Sequence, residues 1–216
     1  MRRPYPDRAA AGRVLADELG AVAGSVLVLG LARGGVPVAA PVADALDAEL
    51  DVLIVRKLGL PAQPELAMGA IAGVGEDLHV VRNEPIASSV DPEAMEAVRR
   101  SEERELRRRE REYRGDRPPI DVRGRVVVLV DDGLATGTTM RAAVQAVRRQ
   151  RPARVIVAVP VGSPASCRNL SADQVVCAWF PHYFSAVGQA YHDFSEVTDD
   201  EVRQVLAEST ARRPER

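Results

Sequence analysis

Val126–Met140 reads VVVLVDDGLATGTTM. Its first five residues are apolar and mostly β-branched, the composition of a strand buried on both faces. In a parallel sheet, the loop leaving a strand's carboxyl end opens onto the ligand crevice, so Asp131 and Asp132 are expected there. Ala135, Thr136, Gly137, Thr138 and Thr139 then have the makings of an anion cradle. Small side chains let successive amides converge, hydroxyls add donors, and the following helix presents the positive end of its dipole. A phosphate monoester suits that cradle. Two carboxylates facing a phosphate would repel it, so their natural partners are sugar hydroxyls or a magnesium ion; a phosphosugar satisfies both halves. A bare Gly/Thr loop is more often a plain capped turn with solvated acids, and it is the order of apolar strand, acid pair and ATGTT that favours a site.

The flanking sequence alternates strand and helix signals. Upstream, Ser25–Leu29 (SVLVL) is a β-branched run closed by Gly30, followed by the turn LARGG (Leu31–Gly35) and an apolar stretch from Val36 to Leu46. Asp51–Val55 (DVLIV) repeats the strand signal before Arg56, Lys57 and the Gly/Pro-bearing stretch Leu58–Pro64 interrupt it, which places both cations at a strand's carboxyl end. Ala70–Ala72 and Leu78–Arg82 read as paired strands around Gly73–Asp77. Pro6–Leu19 has the spacing of a helix. Downstream come a helix over Thr139–Gln150, a strand over Arg154–Pro160, a Ser/Pro turn, and a helix and strand ending at Ala178. This pattern predicts one α/β domain over 1–216, with a mostly parallel sheet flanked by helices. It carries a charged arm at about 83–121 and a small hood at about 179–208. The arm's helix, Asp91–Arg114, has Asp91 as N-cap and Pro92 at its first position. Its sparse apolar residues, Met95, Val98, Leu106 and Tyr113, are too few to bury a broad face.

Composition narrows the function. A chain of 216 residues that is 46% hydrophobic can bury a core, and 29 basic against 31 acidic residues give a net charge of -2. No overall field attracts nucleic acid or an anionic membrane, so any anion site is local. Nowhere do ~18 apolar residues run without a charge, and the amino terminus, Met1–Arg8, is charged and Pro-containing; a cytoplasmic protein is expected. Cys167 and Cys177 lack zinc spacing and read as half-buried thiols. Lys57 is the only lysine. Walker-type GxxxxGK[ST] is absent, and GLARGG is not GxGxxG.

The segment 126–139 resembles the motif by which type I phosphoribosyltransferases hold 5-phosphoribosyl 1-pyrophosphate (PRPP). The resemblance implies that Asp131 and Asp132 take the ribose 2- and 3-hydroxyls, directly or beside Mg2+, while Ala135, Thr136, Gly137, Thr138 and Thr139 surround the 5-phosphate. It gives LARGG the place of the pyrophosphate loop. There Ala32, Gly34 and Gly35 let the backbone approach the ligand, and Arg33 can fork onto phosphate oxygens. Arg56 and Lys57 either complete that clamp or are surface cations. RKLGLPAQPELAMGA (Arg56–Ala70) and the charged arm are similar to a small sub-group of phosphoribosyltransferase-like proteins, a match that says little about substrate.

The activity so implied is Mg2+-dependent transfer of a phosphoribosyl group to a nucleobase or related acceptor, with release of pyrophosphate. Leaving-group charge would be stabilised by Arg33, Lys57 and Mg2+, with Asp131 or Asp132 aiding proton removal. The arm stands where such enzymes carry a mobile loop; it either closes over pyrophosphate or is a solvated or dimer-packing helix, and a homodimer suits the family. Six of eight aromatic residues fall between Trp179 and Phe194, where they stack on an acceptor or pack the hood's own core; His182 and His192 read as polar surface. The rival from another class is a PRPP or nucleotide sensor that keeps the fold without turnover. No residue identifies the acceptor.

Overall fold

The computed structural model describes residues 4–75, 77–115, 117–119 and 121–212. Seven strands, β1 (Val26–Leu31), β2 (Glu49–Leu60), β3 (Gln63–Val74), β4 (Asp77–Arg82), β5 (Val126–Val130), β6 (Arg154–Val161) and β7 (Gln174–Trp179), form one sheet in the order β4-β3-β2-β1-β5-β6-β7. The five strands from β2 to β7 along this order are mutually parallel, and β3 and β4 add an antiparallel edge. The expected mostly parallel sheet flanked by helices is what forms.

Every residue of β1 and β5 is buried, because helices cover both faces. Val26, Val28, Val126, Val128 and Val130 pack toward α1 (Arg8–Leu19), α2 (Gly35–Ala45), α4 (Pro92–Arg114) and α7 (Asp199–Ala211). Leu27, Leu29, Leu31, Val127 and Leu129 pack toward α5 (Thr138–Arg149) and α6 (Pro164–Arg168). A short α3 (Glu84–Ala87) links β4 to α4. The parallel register runs from Val26 opposite Val126 to Gly30 opposite Val130. The central strands therefore end together, and the loops after Leu31 and Val130 leave the sheet side by side.

One expectation needs correction. The segment Leu58–Pro64 does not interrupt β2: the strand continues to Leu60 and pairs antiparallel with β3, absorbing its irregular residues as register shifts on either side of Gly59. Arg56 and Lys57 are thus mid-strand, beyond the stretch that pairs with β1, and not at a strand end. Alternation turns them to opposite faces. Arg56 sits on the α4 face, where its Nε donates to Glu102 Oε2 at 2.7 Å; Lys57 is exposed on the α5 face, opposite Ala70.

On α4 the apolar face is narrow, as expected. Asp91 caps the helix, accepting from the Ala94 amide at 3.0 Å, as read from the sequence. Its core face is buried: Leu106 and Tyr113, two turns apart, are 0% and 3% exposed. Charges widen that face. Glu110 and Arg114 are also buried, and Arg114 reaches Asp51 (Nε to Oδ2, 3.4 Å) and donates to the Val52 carbonyl.

Candidate active site

Two loops build the site. The first, Ala32–Gly34, joins β1 to α2, and its Ala32–Arg33 peptide is cis. The second, Asp131–Gly137, joins β5 to α5. They touch through the glycines of the first: a Cβ on Gly34 would overlap Asp132 Oδ2, and one on Gly35 would come within 2.5 Å of the Val130 carbonyl oxygen and 2.9 Å of Asp131 Cα. Only hydrogen fits at these positions, so LARGG can lie directly against the acid pair.

Asp131 and Asp132 are adjacent and half-buried. Asp131 Oδ1 accepts from the Asp132 amide at 2.9 Å. Burial pushes the Asp131 carboxyl well above the ordinary carboxylate range, and the charge of Asp132 adds to the shift. Asp132 is also raised by burial, against the pull of Arg8. Arg8, from the first turn of α1, donates through Nε to Asp132 Oδ2 at 3.1 Å, with Nη2 at 3.0 Å. Tyr191 Oη donates to the Asp132 carbonyl at 2.6 Å. A half-buried acid pair with one counter-cation favours a ligand that donates hydrogen bonds or brings positive charge.

The small-residue loop ends at Gly137, whose φ of +73° is in the left-handed region and needs glycine. It delivers the chain into α5 with no side-chain cap, so the first-turn amides of that helix point outward unsatisfied by the helix itself. Ala135 and Thr136 are exposed, and Thr138 and Thr139 are half-buried. The loop is braced from behind. Arg141 donates to the Thr136 carbonyl at 3.2 Å and to Thr138 Oγ1 at 3.1 Å, and Ser166 Oγ donates to the Ala135 carbonyl. Backbone amides at a helix start, with hydroxyls beside them and a guanidinium bracing them, suit a phosphate.

A sequence model of the phosphoribosyl transferase domain matches residues 8–193. The chain belongs to that family. A Mycobacterium tuberculosis (strain H37Rv) protein whose name makes it a provisional phosphoribosyl transferase is 48% identical over 203 residues, 92% of this chain; the chain spans 45% of that relative's length. The same identity and coverage hold for its counterpart in strain CDC 1551 / Oshkosh. Among solved structures, TT1426 from Thermus thermophilus is 45% identical and superposes with a TM-score of 0.79, over 96% of this chain and 99% of that one.

Within this phosphoribosyl transferase domain, the structure brings Gly34 and Gly35 against Asp131 and Asp132; Ala32 and Arg33 lie in the first loop, and Ala135, Thr136, Gly137, Thr138 and Thr139 in the second loop and the start of α5. Arg56 and Lys57 do not sit side by side, for the reason of strand alternation given above. Arg33 belongs to the loop, but its guanidinium pairs with Glu196 and lies 3.8 Å from Asp199 Oδ1. Sequence reading missed Arg8, Tyr191, Glu196 and Asp199, which lack any local pattern; Arg141 was within reach, one helical turn beyond the cradle.

The aromatic segment divides. Trp179 and Tyr191 pack on Tyr5, with ring centroids 6.1 and 5.7 Å apart. Phe180 and Tyr183 are exposed, and they line a cavity of about 490 Å3 with Trp179, Pro181, His182, Phe184, Gln189 and Ala190. No helix among the described residues is long and apolar enough to cross a membrane.

Proposed function

We propose that this domain catalyses Mg2+-dependent transfer of the phosphoribosyl group of PRPP to a nucleobase or related acceptor, releasing pyrophosphate. The observation that carries the reading is the contact between the glycines of LARGG and the carboxylates of Asp131 and Asp132, with the uncapped start of α5 at the other end of the same loop. The 5-phosphate takes the amides of Thr136–Thr139, the ribose hydroxyls take the acid pair, and pyrophosphate lies over Ala32–Gly35 within reach of Arg33. Lys57, exposed on the α5 side of β2, is a further cation for the leaving group.

The acid pair fits a magnesium ion. Both carboxylates are raised by burial, so positive charge beside them is favourable. Among the described residues no group of three or more metal-ligating side chains gathers; Mg2+ needs fewer, since it is commonly held by one or two carboxylates together with ligand oxygens and water. Held there by Asp131 and Asp132, the ion would supply positive charge to neutralise the leaving group. This chain's own part is to fix the ribose through Asp131 and Asp132, to hold the phosphate ends apart, and to offer Asp131 or Asp132 as a proton acceptor for the nucleophile. Preorganised donors aimed at developing charge contribute ~3 kcal/mol each. Flat rings at Phe180 and Tyr183 suit an aromatic acceptor.

The second reading, a PRPP or nucleotide sensor without turnover, is favoured by one observation: Arg33 is already occupied by Glu196. Measuring pyrophosphate release from PRPP and Mg2+ against a panel of purine and pyrimidine bases, with an Asp131→Asn/Asp132→Asn control, separates the two. Base-dependent release that the control lacks supports the transferase. Tight PRPP binding without release under any base supports the sensor, and unchanged PRPP affinity in the control contradicts the site itself.

A further inference from the structure

Residues Tyr191–Asp199 touch the two site loops at several points. Tyr191 holds the Asp132 carbonyl. Arg8, paired with Asp132, donates through Nη1 to the Ser195 carbonyl at 2.8 Å and lays its guanidinium 4.1 Å above the centre of the Phe194 ring. Arg33 pairs with Glu196 and lies close to Asp199, and Asp199 accepts from Tyr113 Oη. The strap thus reaches both the acid pair, through Arg8, and the loop cation, directly.

We propose that this strap, Tyr191–Asp199, is an exchangeable counter-anion latch, in which the Glu196 carboxylate and an arriving pyrophosphate or its ester compete for the Arg33 guanidinium. The inference rests on the reading of Arg33 as a pyrophosphate ligand. Glu196 and Asp199 are unequal partners. The Glu196 side chain is 75% exposed and lies in a loop, so its carboxylate rehydrates on release at small cost. Asp199 is 28% exposed, opens α7 and is tied to Tyr113, so it stays. It keeps a negative charge near Arg33 that orients the guanidinium without saturating its donors. Arg33 itself is 29% exposed; a half-buried guanidinium with five donors is costly to leave unmatched, which is the physical reason for a resident carboxylate. Glu196 is therefore a positioning residue. It sets a modest displacement cost for any anion that uses Arg33.

An exposed ion pair of this kind should change anion affinity by about two- to fivefold. The test uses two readouts on the full chain. The first is the rate at which phenylglyoxal modifies Arg33, located by peptide mass mapping; the second is the affinity for inorganic pyrophosphate with Mg2+, by calorimetry. Glu196→Gln should speed modification of Arg33 and tighten pyrophosphate by that factor, Glu196→Asp should restore both, and the gain should vanish in an Arg33→Gln background. Equal Arg33 reactivity in the parent and Glu196→Gln overturns the latch, as does a gain in affinity that survives loss of Arg33. If neither the parent nor Glu196→Gln binds pyrophosphate or PRPP, the phosphoribosyl reading falls and the latch with it; if both bind them and Glu196→Gln changes neither readout, the latch alone falls.

Discussion

The two ends of the candidate site are kept ready in different ways. At the cradle, the binding groups are backbone amides at the start of α5, with Thr hydroxyls beside them, and Arg141 and Ser166 brace the carbonyls behind them. Those dipoles are fixed by the helix and need no counter-charge when empty, because a partial charge at a helix terminus is tolerated in water. At LARGG the binding group is a side-chain cation, and it is found paired with Glu196. One end is a permanent field and the other a matched pair that an incoming anion would have to exchange. The difference teaches that anion affinity at the first end depends on backbone shape, whereas at the second it depends on what else competes for the charge.

Shape carries the largest expected effect. Gly35→Ala puts a methyl 2.5 Å from the Val130 carbonyl oxygen and 2.9 Å from Asp131 Cα, and neither backbone group can swing away as a side-chain tip could. Overpacking of this kind costs about 1–3 kcal/mol, and the acid pair moves with it. Urea unfolding should show the loss of stability, and PRPP affinity should fall by more than the fraction unfolded accounts for. A variant with parental stability and affinity would mean that the two loops are not in contact.

Arg141→Gln probes the cradle next. It removes charge-assisted donors to Thr136 and Thr138, and loss of such bonds is worth ~1.5 kcal/mol, or roughly tenfold. Ribose 5-phosphate should bind about tenfold more weakly by that measure while inorganic pyrophosphate is unchanged. Equal loss for both ligands would break the distinction between the ends.

The acid pair between them sets a stability term with a definite sign. Asp131 is raised in the folded state, so between the ordinary carboxylate value of 3.8 and its native value the folded protein binds more protons than the unfolded one. Stability from this group then falls as pH rises through that window and stays lowered above it. Asp131→Asn keeps an Oδ1 acceptor for the Asp132 amide and abolishes the buried charge. It should therefore raise Tm near neutral pH, by about 2–4 °C for each kcal/mol relieved, with the gain shrinking as pH drops toward the ordinary carboxylate value. A lower Tm at neutral pH would show that Arg8 already compensates the pair in full.

Much of this was legible in the sequence, and the misses have physical causes. The buried runs at Val26–Leu31 and Val126–Val130 announced central parallel strands, since both faces had to be apolar. The cradle was legible because an anion site made of backbone needs small residues in one contiguous segment. The Arg8–Asp132 pair joins residues 124 apart, and nothing local marks Arg8. The full length of β2 was hidden by Gly59 and Pro61, which read as breakers; the hairpin accommodates them through shifted register beside Gly59. The buried face of α4 was hidden because half of it is charged: Glu110 enters the interior paired with Arg107 and close to Arg114, and Arg114 with Asp51 as counter-charge.

The smallest effect expected is at Arg56, and it bears on whether α4 moves. Arg56 and Lys57 are neighbours in sequence, but strand alternation separates them by the thickness of the sheet. Arg56 is matched by Glu102 of α4 at 2.7 Å with both side chains about a quarter exposed. Arg56→Gln should therefore cost no more than about 1 kcal/mol of stability and leave pyrophosphate affinity as it was, whereas Lys57→Gln, on the α5 face, is the one of the two that should weaken pyrophosphate. The informative surprise would be the reverse. If Arg56→Gln weakened pyrophosphate tenfold, Arg56 would have to leave Glu102 to reach the ligand, which requires α4 to shift across β2 on binding. The arm would then take part in ligand binding.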